Sequence, residues 1–220
     1  IQDPKVRLDN FDFIVAPEHD DIQGQNVIKT KGAIHYLTEN EINENKNYLN
    51  SFLKKDEREV WALILGGPTK YYDYSSKNLK YIFSIIYKLL QKHNFQLVVI
   101  PSMRTPTRTI DFANEYFGEN HTIIKNVDKK AYLSALAISK NIIVTCDSSS
   151  MISEVALTGK PIYVANILPK RNDKRFKKFR NLFRDLNITR NLGEEVETWN
   201  YQKLDETNRV ANIIKKKINL

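Results

Sequence analysis

One cysteine, Cys146, is all the chain has, so an internal disulfide framework and a Cys-based zinc site are both excluded. Such usage points to a reducing compartment, with the cytosol as the default. No apolar run approaches the roughly 18 residues that a spanning helix needs; segments such as 97–100 and 142–145 have strand length. Glycine is scarce at seven residues, and neither Gly-x-Gly-x-x-Gly nor a Walker lysine-serine pair follows the one adjacent pair, Gly66-Gly67, which disfavours dinucleotide binding and P-loop hydrolysis. Glu18-His19-Asp20, with His35 at some distance, lacks the second spaced pair of a metal site, and no metal is expected. Internal repeats and low-complexity linkers are absent. Ile1-Gln2-Asp3-Pro4 has no initiator Met, no basic n-region and no small-residue cleavage site, so it reads neither as a native start nor as a signal peptide. A missing upstream segment is expected.

What is present suits a folded chain. The 220 residues are 41% hydrophobic and 27% charged, which is globular composition and enough for one large domain or one and a half small ones. Lys and Arg number 34 against 26 Asp and Glu, a formal charge of +8 that favours phosphate-bearing partners: nucleotides, nucleic acid or anionic lipid.

Periodicity predicts strands at 11–16, stopped by Pro17, and at 27–30, then a helix over 39–53. From residue 60 the pattern is regular. Strands at 60–65, 96–100, 121–124, 141–145 and 161–165 alternate with helices at 76–92, 107–116, 129–139 and 149–158. Parallel neighbours need crossover helices, so this alternation predicts an α/β, doubly wound parallel sheet covered on both faces. Segment 170–184 reads as a helix with Phe176, Phe179 and Phe183 inward and Lys and Arg outward, and 205–220 as a last helix with acids first and lysines last.

Ligands of such sheets sit outside the carboxyl ends of the strands. The loops to read are therefore 66–70, 101–107, 125–128, 147–150 and 166–173. Gly66 and Gly67 let backbone approach a diphosphate or an acceptor, or simply form a turn. Asp147-Ser148-Ser149-Ser150 precedes a helix, where hydroxyls and open amides bind a phosphate or merely cap. Glu154, one turn in, could take two ribose hydroxyls or form a surface ion pair. Arg104 could clamp a phosphate bidentately. His19, with Asp20 fixing its tautomer, could serve as a general base, or the two could only tie their own loop.

These residues resemble a known family. Pro17-Glu18-His19-Asp20, Asn26-Val27, Gly32-Ala33-Ile34-His35, Leu65-Gly66-Gly67-Pro68, Arg104-Thr105-Pro106, Asp147-Ser148 with Ser150-Met151 and Ser153-Glu154, Thr158-Gly159-Lys160-Pro161 and Leu204-Asp205-Glu206-Thr207 together are similar to the family of the plant mitochondrial fission factor (elongated mitochondria), whose many bacterial members have no mitochondria. The resemblance spans nearly the whole chain and implies a fold similar to two-lobed GT-B glycosyltransferases and nucleotide-sugar epimerases. It implies that Ser148 and Ser150 meet the donor diphosphate and that Glu154 meets the ribose. The chain departs from the pattern at Cys146, Ser149 and Met103, the last standing where a second arginine before Arg104 is expected.

The expected organisation is a GT-B-like C-terminal lobe at 56–204 for a nucleotide sugar, a remnant of an N-terminal α/β acceptor lobe at 1–55, and a helix at 205–220 packing back toward it. The expected function is sugar transfer from a nucleotide-diphosphate donor, as substrate and without further cofactor, to a glycan or lipid acceptor. His19 and Asp20 are the candidate catalytic residues; Gly66, Gly67, Arg104, Ser148, Ser150 and Glu154 are the candidate donor-binding ones. The rival is a non-enzymatic adaptor touching an anionic membrane through 170–184 and Lys215 to Lys217. Nucleic acid is not expected, because the phenylalanines of the basic segment face inward. Cytoplasmic placement, peripheral to the membrane's inner face, fits both readings.

Overall fold

The computed structural model describes residues 4–218, so Ile1-Gln2-Asp3 of the opening segment and the last two tail residues lie outside the described residues. Two short strands, β1 (Ile14–Pro17) and β2 (Val27–Thr30), pair in parallel near the N-terminus. Six later strands form one parallel sheet: β3 (Glu59–Leu65), β4 (Phe95–Pro101), β5 (Thr122–Ile123), β6 (Asn141–Thr145), β7 (Ile162–Ala165) and β8 (Thr189–Asn191), in the order β5-β4-β3-β6-β7-β8. The helices are α1 (Glu39–Glu44), α2 (Ser76–Lys92), α3 (Thr107–Phe117), α4 (Lys129–Ile138), α5 (Ser149–Ala156), α6 (Lys174–Asp185) and α7 (Glu206–Lys217).

Near-continuous apolar runs demand burial on both faces, and β4, β6 and β7 are buried along their full length. The chain steps outward from β3 to β5 and returns through α4 to place β6 beside β3, in register from Trp61↔Asn141 to Ile64↔Val144. Strand order reverses there, so the segments just past Leu65 and Thr145 meet at the crevice where open α/β sheets bind ligands. No helix among the described residues is long and apolar enough to cross a membrane.

Helix starts follow local chemistry. Ser75, Asp128, Ser148 and Asp205 each accept a first-turn amide with their side chains. The expected helix over 39–53 is instead α1 followed by a separate single turn, Tyr48–Ser51. Asn43, Asn45 and Asn47 explain the break, since asparagine bonds locally to backbone, and Asn45 Nδ2 donates to Glu41 O at 2.8 Å. Five strands were expected from residue 60; β8 is the sixth, a three-residue edge whose Thr-Arg-Asn carries no apolar alternation. α6 starts at Lys174 rather than Lys170. Its Phe179 and Phe183 are buried as expected, while Phe176 is half-buried and packs edge-on against Tyr71 and Tyr72.

The N-terminal strands are tied to the rest through the segment after β2. Lys31 N donates to Glu206 at 2.8 Å, His35 N to Thr207 Oγ1 at 3.2 Å, and Ala33 N to Ser153 Oγ at 2.9 Å. Gly32 is required by that close approach, because a Cβ there would lie 2.7 Å from Ser153 Oγ.

His121, just before β5, accepts the Leu97 N–H on Nδ1 at 3.2 Å, which requires a neutral ring. Burial first, then the Arg58 charge, pushes its pKa from 6.5 down to about 4. The unfolded chain therefore binds more protons between those values. The contribution is complete above about pH 6.5 and is lost as pH falls through about 4. Urea titrations at pH 7 and pH 5 should show a larger loss in wild type than in His121→Gln; equal losses would exclude His121 from the acid sensitivity.

Candidate functional site

At the strand reversal the chain buries a carboxylate. Asp147, one residue beyond the β6 strand and Cys146, has a side chain with no solvent exposure. Its Oδ2 accepts from Arg104 Nη2 at 2.8 Å and from Gly67 N at 3.2 Å, and its Oδ1 lies 2.5 Å from Tyr74 Oη. Tyr74 Oη is also 2.8 Å from Thr145 Oγ1, which accepts from Gly66 N at 2.8 Å. Burial, then the Asp147 charge, raises the Tyr74 phenol far above its ordinary range, so it stays a neutral donor.

This cluster explains Gly66 and Gly67. A Cβ on Gly66 would run into the Asp147 carboxylate, and one on Gly67 into the Arg104 carbonyl. Both amides are spent on internal acceptors, so the pair packs the crevice floor rather than offering free donors. Arg104 keeps 41% of its side chain exposed while held by Asp147 and by a 3.3 Å bond to Gly67 O. Both terminal nitrogens are engaged by protein, Nη1 by Gly67 O and Nη2 by Asp147, and the partly exposed guanidinium still reaches solvent at the carboxyl edge of the sheet. Met103 beside it is 89% exposed and makes no second clamp.

Ser148 is the N-cap of α5, its Oγ accepting from Met151 N at 3.3 Å, which is the capping alternative. Ile152 N is bonded to Ser148 O, so the Ser149 and Ser150 amides form the open end of the helix, and Ser150 is exposed. Ser153 Oγ bonds back to Ser149 O at 2.8 Å.

Glu154 is half-buried and accepts from Tyr132 Oη of α4 at 2.8 Å, which is neither of the bonds expected of it. Burial raises its carboxyl above the ordinary range, partly offset by Tyr132 and by the nearby His35. His35 is buried, and its Nδ1 has no hydrogen-bond partner. Tyr36, the next residue, is 74% exposed under the Lys129 ammonium, 5.0 Å from its ring centre. The structure thus gathers Glu154, Tyr132 and His35 from three parts of the chain.

His19 and Asp20 form the single turn after β1, at its carboxyl end. They do not pair as expected. His19 Nε2 is 3.8 Å from Asp20 Oδ1, beyond hydrogen-bond reach, and Asp20 instead accepts from Arg175 Nε of α6 at 2.5 Å. The His19 ring stands edge-on to Phe179 at 5.4 Å, and burial lowers its pKa, keeping it neutral and able to accept a proton. Asp147, Tyr74 and Tyr132 were not singled out from sequence as structural partners. A lone acid closing an apolar strand was the available signal for Asp147; Tyr74, within Tyr71-Tyr72-Asp73-Tyr74, gave none.

A family model described as mitochondrial fission ELM1 matches residues 1–218. The mitochondrial fission protein ELM1 of Arabidopsis thaliana is 22% identical across 99% of this chain and 57% of its own length. The uncharacterized protein RP120 of Rickettsia prowazekii (strain Madrid E) is 28% identical across 90% of this chain and 57% of its own. The chain spans about 57% of the length of these curated relatives. Among solved structures, S. aureus MnaA with UDP is similar at TM-score 0.50 and 14% identity, over 95% of this chain and 60% of that one. The UDP-GlcNAc 2-epimerase of Methanocaldococcus jannaschii, in complex with UDP-GlcNAc and UDP, is similar at TM-score 0.50 and 13% identity, over 93% and 61%. At such identities the likeness is one of fold, a parallel α/β sheet of the GT-B-like kind.

Proposed function

The chain belongs to the mitochondrial fission ELM1 family, and we propose that it binds the nucleoside diphosphate of a nucleotide sugar at the crevice between β3 and β6 and serves transfer of the sugar to an acceptor hydroxyl. The observation that carries this reading is the Arg104 guanidinium, anchored on buried Asp147 yet partly exposed, at the same strand reversal as the open end of α5. Amides at a helix start and a fixed guanidinium suit a diphosphate, whose negative charge grows as the sugar departs. Groups oriented before the reaction stabilise that charge without reorganising.

Glu154, already bonded to Tyr132, would exchange or share that bond with ribose hydroxyls. Neutral His19, at the carboxyl end of β1, is the proposed base for the acceptor hydroxyl. Asp20 acts through Arg175 in holding the turn and is not assigned a proton-transfer role. The fold likeness to proteins solved with UDP supports testing that nucleotide first.

UDP is expected to raise the melting temperature, since a ligand at about a hundred times its dissociation constant adds about 2.7 kcal/mol to the folded state. Glu154→Ala should lose most of that shift while its own unliganded melting point stays close to wild type. Undiminished UDP stabilisation in the variant would remove Glu154 from nucleotide recognition, and no stabilisation of wild type by UDP or other nucleoside diphosphates would overturn the reading.

A further inference from the structure

A second chemistry-bearing cavity, whose lining shares no residue with the β3–β6 crevice, lies between the Glu18–Asp20 turn and α6. Its volume is about 510 Å³, and its lining includes His19, Asp20, Asp21, Lys174, Arg175 and Lys178. We propose that this cavity binds a phosphate group carried by the acceptor, so that the acceptor is an anionic, phosphate-bearing molecule rather than a neutral glycan. Calling the ligand the acceptor rests on the transferase reading above; the phosphate subsite stands on its own geometry.

Charge balance is the first support. Three cations of α6, Lys174, Arg175 and Lys178, line a space that holds two carboxylates. Asp20 is engaged by Arg175, and Asp21 by Lys178 in a short ion pair. Lys178 first, with Lys174 and Lys29 adding, holds the Asp21 carboxyl below its ordinary range, so both walls are charged, and among the described residues the three cations of α6 outnumber the two carboxylates. Lys174, exposed and outside those two pairs, is the cation best able to meet a ligand.

Rigidity is the second. Phe179 and Phe183 sink the neighbouring face of α6 into the core, which fixes where the backbone of Lys174, Arg175 and Lys178 stands. The turn bearing Asp20 is held to that helix by its own ion pair. A preorganised group of cations loses less on binding an anion than mobile surface lysines do.

The third is an unsatisfied polar group. His19 belongs to the lining, its side chain is 5% exposed, and its Nδ1 has no hydrogen-bond partner. A buried nitrogen left this way is costly, and the ring that carries it borders the space a ligand would fill. The same histidine is the proposed base, so a phosphate seated here would bring the neighbouring hydroxyl of its own molecule to the imidazole.

The test uses inorganic phosphate and sn-glycerol 3-phosphate, followed through the histidine ring resonances by NMR at pH 7. Saturable shifts of the His19 signals are expected in wild type, with affinity reduced about tenfold or more in Lys174→Glu. UDP stabilisation should be the same in both proteins, because Lys174 is not among the hydrogen-bond or ion-pair partners of Arg104, Ser148 or Glu154. Equal phosphate affinity in wild type and Lys174→Glu, or no saturable His19 response, would overturn the subsite. Phosphate binding lost in the variant while UDP has no effect on either protein would keep the subsite and reject the transferase reading. Vesicles of phosphatidic acid in phosphatidylcholine distinguish the source: Lys174-dependent vesicle binding tighter than glycerol 3-phosphate identifies a lipid acceptor, and equal affinity identifies a soluble one. Vesicle binding indifferent to Lys174 counts against the cavity.

Discussion

Asp147→Ala is expected to cost about 3 kcal/mol, at the low end for breaking a buried ion pair because Arg104, its partner, can turn toward water. Three donors converge on this one carboxylate: Arg104, Tyr74 and Gly67. Truncation leaves the Gly67 amide buried without an acceptor and the Tyr74 phenol with only Thr145. A buried donor left unpaired forfeits its desolvation cost, which exceeds the net worth of the bond. Asp147→Asn is the informative contrast. The amide keeps the shape and one acceptor oxygen but loses the charge that draws Arg104, so its cost should be roughly half that of alanine. Urea unfolding of both variants, read at the midpoint with the slope unchanged, measures the two values. A loss under about 1 kcal/mol for Asp147→Ala would mean that water replaces the carboxylate and that the cluster does not organise the crevice floor. If the cluster does organise it, both variants should also weaken UDP binding, since Arg104 would lose the anchor that aims it.

Some of this was legible in residue order alone. α2 begins and ends at Ser76 and Lys92, as expected, because Ser75 is a strong cap and the apolar period behind it is clean. β6 matches at both ends because the β-branched run Ile142-Ile143-Val144-Thr145 is bounded by Lys140-Asn141 on one side and by Asp147 shortly after it on the other. α1 and β8 were misread for opposite reasons. Asparagines interrupted an amphipathic pattern that periodicity alone carried on to residue 53, and β8 has no pattern to detect. At the site, sequence locates residues on loops but not their partners. His19 and Asp20 are adjacent, yet Asp20 finds Arg175, 155 positions away. Gly66 and Gly67 look like ligand-facing glycines, and their absent side chains instead make room for Asp147 and for the Arg104 backbone. Ser148 reads from sequence as a cap, the commoner fate of such a residue, or as a phosphate ligand, and only the structure shows Met151 N on its oxygen.

The largest effect is expected from Phe179→Ala, at about 3–5 kcal/mol for truncating a buried aromatic. Phe179 is 1% exposed, its ring lies 4.3 Å from that of Phe183 and 5.4 Å from the His19 imidazole. The methyl that remains cannot refill the space between a helix and the turn at the end of β1, so lost transfer energy and a cavity add together. Phe179→Leu, which keeps most of the volume, should cost far less and serves as the check that packing is being measured. The rival adaptor reading, in which the 170–184 helix meets an anionic membrane, would instead use these rings as wedges in the bilayer. A wedge must reach lipid, so its loss would leave stability within about 0.5 kcal/mol of wild type while vesicle binding collapsed. Burial of Phe179 and Phe183 argues for the opposite outcome: a large drop in the denaturation midpoint. α6 then meets its ligand with lysine and arginine alone, the aromatic face being spent on holding those cations against the His19 turn.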